Sequence, residues 1–137
     1  MPDSLMVHLT YTPVVLAVII FLKLILVSRI VKLRLKNRIG IGDQGNSDLE
    51  VAIRAHANLL ENAPLGILLF LVSELMAVNE LLVMGLAIVF CVSRFAHAFG
   101  FTTAQGGESK GRFYGTIGSW STLAILALTL LFTLITQ

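Results

Sequence analysis

The chain has 137 residues, 56% of them hydrophobic and 13% charged, with a mean hydropathy of +0.88. A water-soluble domain of this size does not accommodate that balance, whereas a bilayer needs about 20 apolar residues per helical span and leaves room for four spans with short connections. The net charge of +2 does not point to nucleic acid, because five of the ten Lys and Arg residues lie between Arg29 and Arg38, beside the first apolar run.

That run, Val14 to Val31, follows Pro13, which a first helical turn tolerates, and it continues into Lys32, Arg34, Lys36 and Arg38, so a first helix is expected over 11–36. No positive charge precedes it and no small-residue cleavage site follows a short apolar core. It therefore reads as a retained span and not as a cleavable signal peptide. Gly40, Gly42, Asp43, Gly45 and Asn46 make a turn-rich connection, and Ser47-Asp48-Leu49-Glu50 reads as a capping box opening a second helix, expected over 48–78. This helix begins polar and becomes apolar after Pro64. Asn79 and Glu80 make a minimal turn before a third span over 81–101, which carries Cys91. As the only cysteine, Cys91 excludes an intramolecular disulfide and a multi-cysteine metal site. Thr102 to Gly111 is a Gly-rich polar loop, and a fourth span is expected over 113–136. The prediction is an all-α integral membrane protein, a single domain over 1–137 folded as a four-transmembrane-helix up-down bundle. The first and third loops carry Lys32, Arg34, Lys36, Arg38, Lys110 and Arg112, so both termini are expected on the non-cytoplasmic side.

Ionisable side chains inside a span are costly, and each calls for a partner, a wet cleft or a function. At about 100° per residue, Glu50, Arg54, Asn58 and Glu61 form one polar stripe on the second helix, with His56 pointing elsewhere. Arg94, His97 and Phe101 project within about 60° of one another on the third. Arg112 begins the fourth helix at the same end, with Thr116 and Ser119 following on its face. Plainer roles compete with a functional one. Glu50 serves the capping box, Arg94 and Glu61 make an interhelical ion pair, and His97 hydrogen-bonds in the core. His56 lies at a surface or interface, Cys91 is structural, and the basic run marks topology and headgroup contact. Lys23 sits at a depth similar to that of Glu61. Among these residues there is no nucleophile-base triad, metal-ligand spacing or phosphate loop, so no metal site is expected. The cluster instead suits a small, polar, anionic molecule: arginines for carboxylates, Asn and Glu for amide and ammonium groups. A zwitterionic peptide with two carboxylates fits that description.

The segment Arg54-Ala55-His56-Ala57-Asn58-Leu59-Leu60-Glu61-Asn62-Ala63-Pro64 resembles the second-helix motif of the MAPEG family, the membrane-associated proteins in eicosanoid and glutathione metabolism. Arg94-Phe95-Ala96-His97-Ala98-Phe99-Gly100 resembles that family's third-helix motif, and Arg112-Phe113-Tyr114-Gly115 its fourth-helix entry. In layout the chain is most similar to the small bacterial members, which implies a bacterial inner membrane. The resemblance further implies a homotrimer with glutathione, as cosubstrate, bound between adjacent subunits near the cytoplasmic face. By position, Asn58 and Glu61 would contact glutathione from one subunit, Arg94 and His97 would line or support the site, and Arg54 completes the second-helix constellation. Arg34 is the best match to the family's first-helix arginine, with Lys32 and Arg38 nearby. Arg112 would approach the sulfur and act in catalysis, raising the thiolate fraction for attack on a lipophilic electrophile or reduction of a lipid hydroperoxide delivered from the bilayer. Phe101 and Thr116 stand where the eicosanoid members have tyrosines, and Tyr114 is no substitute by helical geometry. Two hydroxyl contacts to glutathione are thereby lost, which keeps a second reading alongside the first: a non-catalytic membrane protein that retains the scaffold for binding or assembly.

Overall fold

The structure, a computed structural model, describes residues 9–136. It contains four helices, α1 (Tyr11–Asn37), α2 (Ser47–Leu75), α3 (Glu80–Thr103) and α4 (Lys110–Thr136), each long and apolar enough to cross a membrane. Short connections make successive helices antiparallel. The most extensive packing is between α3 and α4, then between α1 and α2, while α1 and α4 lie apart. Consequently α2 and α3 hold the centre, where Phe70 and Phe90 meet edge to face at 5.7 Å beside Leu59, Val83 and Leu126. The outward faces stay apolar, with Phe21, Leu35, Phe132 and Ile135 exposed, as a lipid environment requires.

Several helix boundaries differ from the sequence expectation, four of them for a clear local reason. The cap of α2 is Asn46, whose side chain accepts from the Leu49 amide at 2.9 Å, so the expected capping box on Ser47 does not form. Asn79, expected in a turn with Glu80, caps α3 by accepting from the Leu82 amide at 3.0 Å, which brings Glu80 into the helix. Ser109 caps α4 through the Arg112 amide at 3.1 Å, so Gly111 and Arg112 are helical and not loop. At the other end, α2 stops at Leu75 and not Val78, because Ala77 takes a left-handed φ of 53° and the Val78 amide donates back to the Ser73 carbonyl at 3.0 Å.

No side chain caps α1 from within its own segment. Glu74, near the end of α2, does so instead, accepting from the backbone amides of Thr10, Tyr11 and Thr12 at 2.6, 2.8 and 2.7 Å. A carboxylate thus meets the positive end of the α1 dipole and satisfies three amides with no partner inside the helix. Nothing in the sequence motifs singles Glu74 out. Glu74→Ala is expected to lower stability in detergent by about 2–3 kcal/mol, the scale of hydrogen bonds to a charged group. Glu80→Ala removes only the acceptor of the Tyr11 hydroxyl, at 2.9 Å, and should cost less than about 1 kcal/mol. Thermal or denaturant unfolding of the two variants side by side checks this, and equal losses would remove Glu74 from its capping role.

The α3–α4 pair is drawn together by small residues. A Cβ at Gly115 would stand 2.5 Å from the His97 amide nitrogen and 2.6 Å from the Ser93 carbonyl oxygen. One turn earlier, Gly111 faces Gly100 so closely that a Cβ on it would come within 3.2 Å of the Gly100 Cα. Gly111, Gly115 and Ser119 therefore form a small-residue stripe at four-residue spacing, which lets two backbones approach where apolar lipid supplies no hydrophobic drive.

Candidate functional site

That close approach carries Arg94 of α3 into the interior. The residue is 2% exposed and reaches two helices at once. Its Nη2 donates to Asn58 Oδ1 of α2 at 2.6 Å, and its Nη1 to Ser119 Oγ of α4 at 3.3 Å. Ser119, fully buried, in turn donates to the Gly115 carbonyl at 2.8 Å. The expected ion pair with Glu61 is absent: Glu61 is exposed one turn further along α2, and among the described residues no carboxylate meets Arg94. Both acceptors are neutral, so a full positive charge sits inside the bundle without a counter-charge. The Nε of Arg94 and the Nδ1 of His97, itself 5% exposed, are also buried and without a partner.

A second group forms beside the first. The His97 ring stacks on Phe101 with centroids 6.1 Å apart, and the Arg112 guanidinium lies 4.9 Å from the centroid of the same Phe101 ring, in cation–π range. The Nη1 of Arg112 donates to the carbonyls of Gly106 and Gly107 at 2.7 and 3.2 Å, tying the α3–α4 loop to the start of α4. Beside Arg112 opens a recess of about 880 Å³, walled also by Phe113, Thr116, Ile117 and Trp120. A cation at the edge of an aromatic and aliphatic wall suits a lipophilic molecule with a polar reacting end.

The residues singled out from the sequence therefore fall into four sets. Asn58 and Arg94 are joined, and His97 and Arg112 are brought together through Phe101. Arg54 and Glu61 lie exposed on α2, turned away from the bundle interior. Arg34 takes a different role, donating to the Ile39 and Gly42 carbonyls at 3.4 and 3.0 Å and so closing the α1–α2 loop. Ser119, on the Arg112 face of α4, also meets Arg94, a contact that helical spacing alone does not reveal. Its position four residues after Gly115, on the stripe that approaches α3, is the signal that could have located it.

Four apolar helices around a buried, uncompensated arginine, with Asn, His and a second Arg at one end, define an integral membrane protein that holds a cationic polar cluster inside its bundle. The MAPEG family model matches residues 12–132, and the chain belongs to that family. It is also similar to the "Inner membrane protein YecN" of Escherichia coli, both in strain K12 and in strain O6:H1, with 32% identity over 99 residues, 72% of this chain and 73% of the relative.

Proposed function

We propose that this protein binds glutathione and uses it as a transferase or peroxidase acting on lipophilic electrophiles or hydroperoxides. The uncompensated charge of Arg94 carries the reading. A buried guanidinium held only by neutral oxygens, with an orphaned Nε and the orphaned His97 Nδ1 beside it, is matched chemically by an anionic ligand that brings acceptors. Because Arg94 occupies the Asn58 oxygen, the Asn58 amide is left presenting its N–H donors, which suits a carboxylate or carbonyl of the peptide. Glutathione supplies a thiol that reacts as its thiolate. The part of this chain is to favour the anion, and Arg112 beside the apolar recess is the residue assigned to that.

The assembly proposed is a homotrimer. On α2, Leu65, Leu68, Val72 and Leu75 repeat at three- and four-residue spacing and are 61, 54, 38 and 52% exposed, a ridge that continues at its polar end into Glu61 and Arg54. Such spacing suits packing against a like helix, and it would place Glu61 and Arg54 at a boundary between subunits. The membrane proposed is a bacterial inner membrane, with the basic loops cytoplasmic and both termini on the opposite side. One observation favours the non-catalytic alternative: Arg112 already donates to two loop carbonyls, a purely structural task.

Calorimetric titration of the detergent-purified chain with glutathione separates binding from its absence, and no heat at millimolar ligand would refute the proposal. Arg112→Lys keeps the charge but loses the planar fork of donors. Binding should change little, while conjugation of glutathione to a chromogenic aryl halide falls about tenfold or more. Equal rates and equal ultraviolet thiolate signal in the two proteins would leave Arg112 as a loop anchor only.

A further inference from the structure

A second cleft, away from Arg112, lies between α1 and α3 and has a volume of about 220 Å³. Leu22, Ile25 and Arg29 line it from α1, at spacings of three and four residues, and Phe95, Phe99 and Thr102 line it from α3, at spacings of four and three. Each set is a single stripe of its helix. In an up-down bundle α1 and α3 run in the same direction, so the cleft is polarised along its length. Leu22 and Phe95 mark an apolar end, and Arg29 and Thr102 a polar one. The Thr102 hydroxyl is buried there without a partner. Arg29 is half-buried, and no carboxylate of the described residues engages it. Beyond it, exposed Lys32 and Lys36 continue the same stripe of α1.

We propose that this cleft is a binding site for an anionic phospholipid of the adjacent leaflet, with one acyl chain between Leu22 and Phe95 and the phosphate on Arg29 and Thr102. The seven helical rises from Leu22 to Arg29 span about 10 Å, most of the roughly 15 Å of hydrocarbon in one leaflet. Exposed Ile25 and Phe99 flank the cleft on the outward surface, so a chain enters sideways from the bilayer. The polar end offers one cation and one hydroxyl with two lysines beyond it, which complements a phosphate, and among the described residues it has no carboxylate to pair with a choline or ethanolamine cation. This inference is independent of glutathione.

Native mass spectrometry of the full chain in detergent, with phosphatidylglycerol and phosphatidylcholine of identical acyl chains, tests it. The wild type should retain phosphatidylglycerol roughly fivefold better, as a single basic contact near the surface provides. Arg29→Gln should abolish the preference and Arg29→Lys keep it, whereas Arg38→Gln, which removes an equal charge beyond the end of α1, should change nothing. Ile25→Trp, filling the cleft, should lower retention of both lipids. Thr102→Val, which leaves every charge in place, should weaken phosphatidylglycerol retention and serves if Arg29→Gln does not fold. Equal retention of the two lipids by the wild type, equal losses in Arg29→Gln and Arg38→Gln, or no effect of Thr102→Val would each overturn the site. Stronger retention of oleate than of phosphatidylglycerol would overturn the phospholipid and assign the cleft to a carboxylate amphiphile.

Discussion

Arg94→Met is expected to leave the protein as stable as the wild type, or more stable by about 1–3 kcal/mol, while weakening the proposed glutathione binding at least about tenfold. The two effects have opposite signs because one charge causes both. In the ligand-free bundle the guanidinium is 2% exposed and faces only the neutral oxygens of Asn58 and Ser119, so its desolvation is not offset by an opposite charge. Methionine fills a similar volume without that cost. The groups left behind suffer little. Ser119 still donates to the Gly115 carbonyl, and Asn58, half-buried, regains access to other donors. An anionic ligand loses both its counter-charge and the contact that presents the Asn58 N–H groups. Arg94→Lys should not restore binding, since one ammonium does not span the separate acceptors on α2 and α4. Unfolding in detergent, calorimetry with glutathione and native mass spectrometry of the oligomer together check the result. A strongly destabilised Arg94→Met that still binds glutathione normally would make Arg94 a structural staple and nothing more.

Gly115→Val should separate α3 from α4 and cost more than the roughly 1–3 kcal/mol usual for overpacking. The added Cβ alone would stand 2.5 Å from the His97 nitrogen and 2.6 Å from the Ser93 oxygen, and both are backbone atoms of a helix that does not yield locally. Gly115→Ala meets the same two atoms and should already be strongly destabilising. Because Ser119 and His97 sit on either side of this contact, the proposed glutathione binding should fail together with stability. Gly85→Ala, at a helical position with open space around it, is the control and should be neutral or slightly stabilising. A Gly115→Ala protein with wild-type unfolding would mean that α3 and α4 do not approach as closely as described.

The four spans were legible in the sequence to within a few residues, since hydropathy is a property summed along the chain and needs no knowledge of neighbours. Starts of helices were read one residue off at Asn46 and three off at Ser109, because several adjacent polar residues compete for each cap. Ends were harder. The left-handed residues closing α1, α2 and α3 are Arg38, Ala77 and Gln105, with φ of 57°, 53° and 51°, where a reading of the sequence looks for glycine. The residue types of the candidate site were equally legible: Asn58, Arg94, His97 and Arg112 stand out as polar groups in apolar surroundings.

What the sequence determined by itself is thus a four-span membrane chain with a polar cluster at its basic end. Which of those polar groups meet was decided only by the tertiary structure. Charge alone assigned Arg94 to Glu61, one turn away from its actual partner Asn58, and left Glu74 unremarked although it caps a helix more than 60 positions earlier. The physical reason is that pairing depends on the axial register and rotation of one helix against another. Between α3 and α4 those are set by backbone approach at Gly100, Gly111 and Gly115, and between α2 and α3 the Phe90 ring sits against Gly66; in both the decisive feature is an absent side chain whose effect appears only when the second helix is in place.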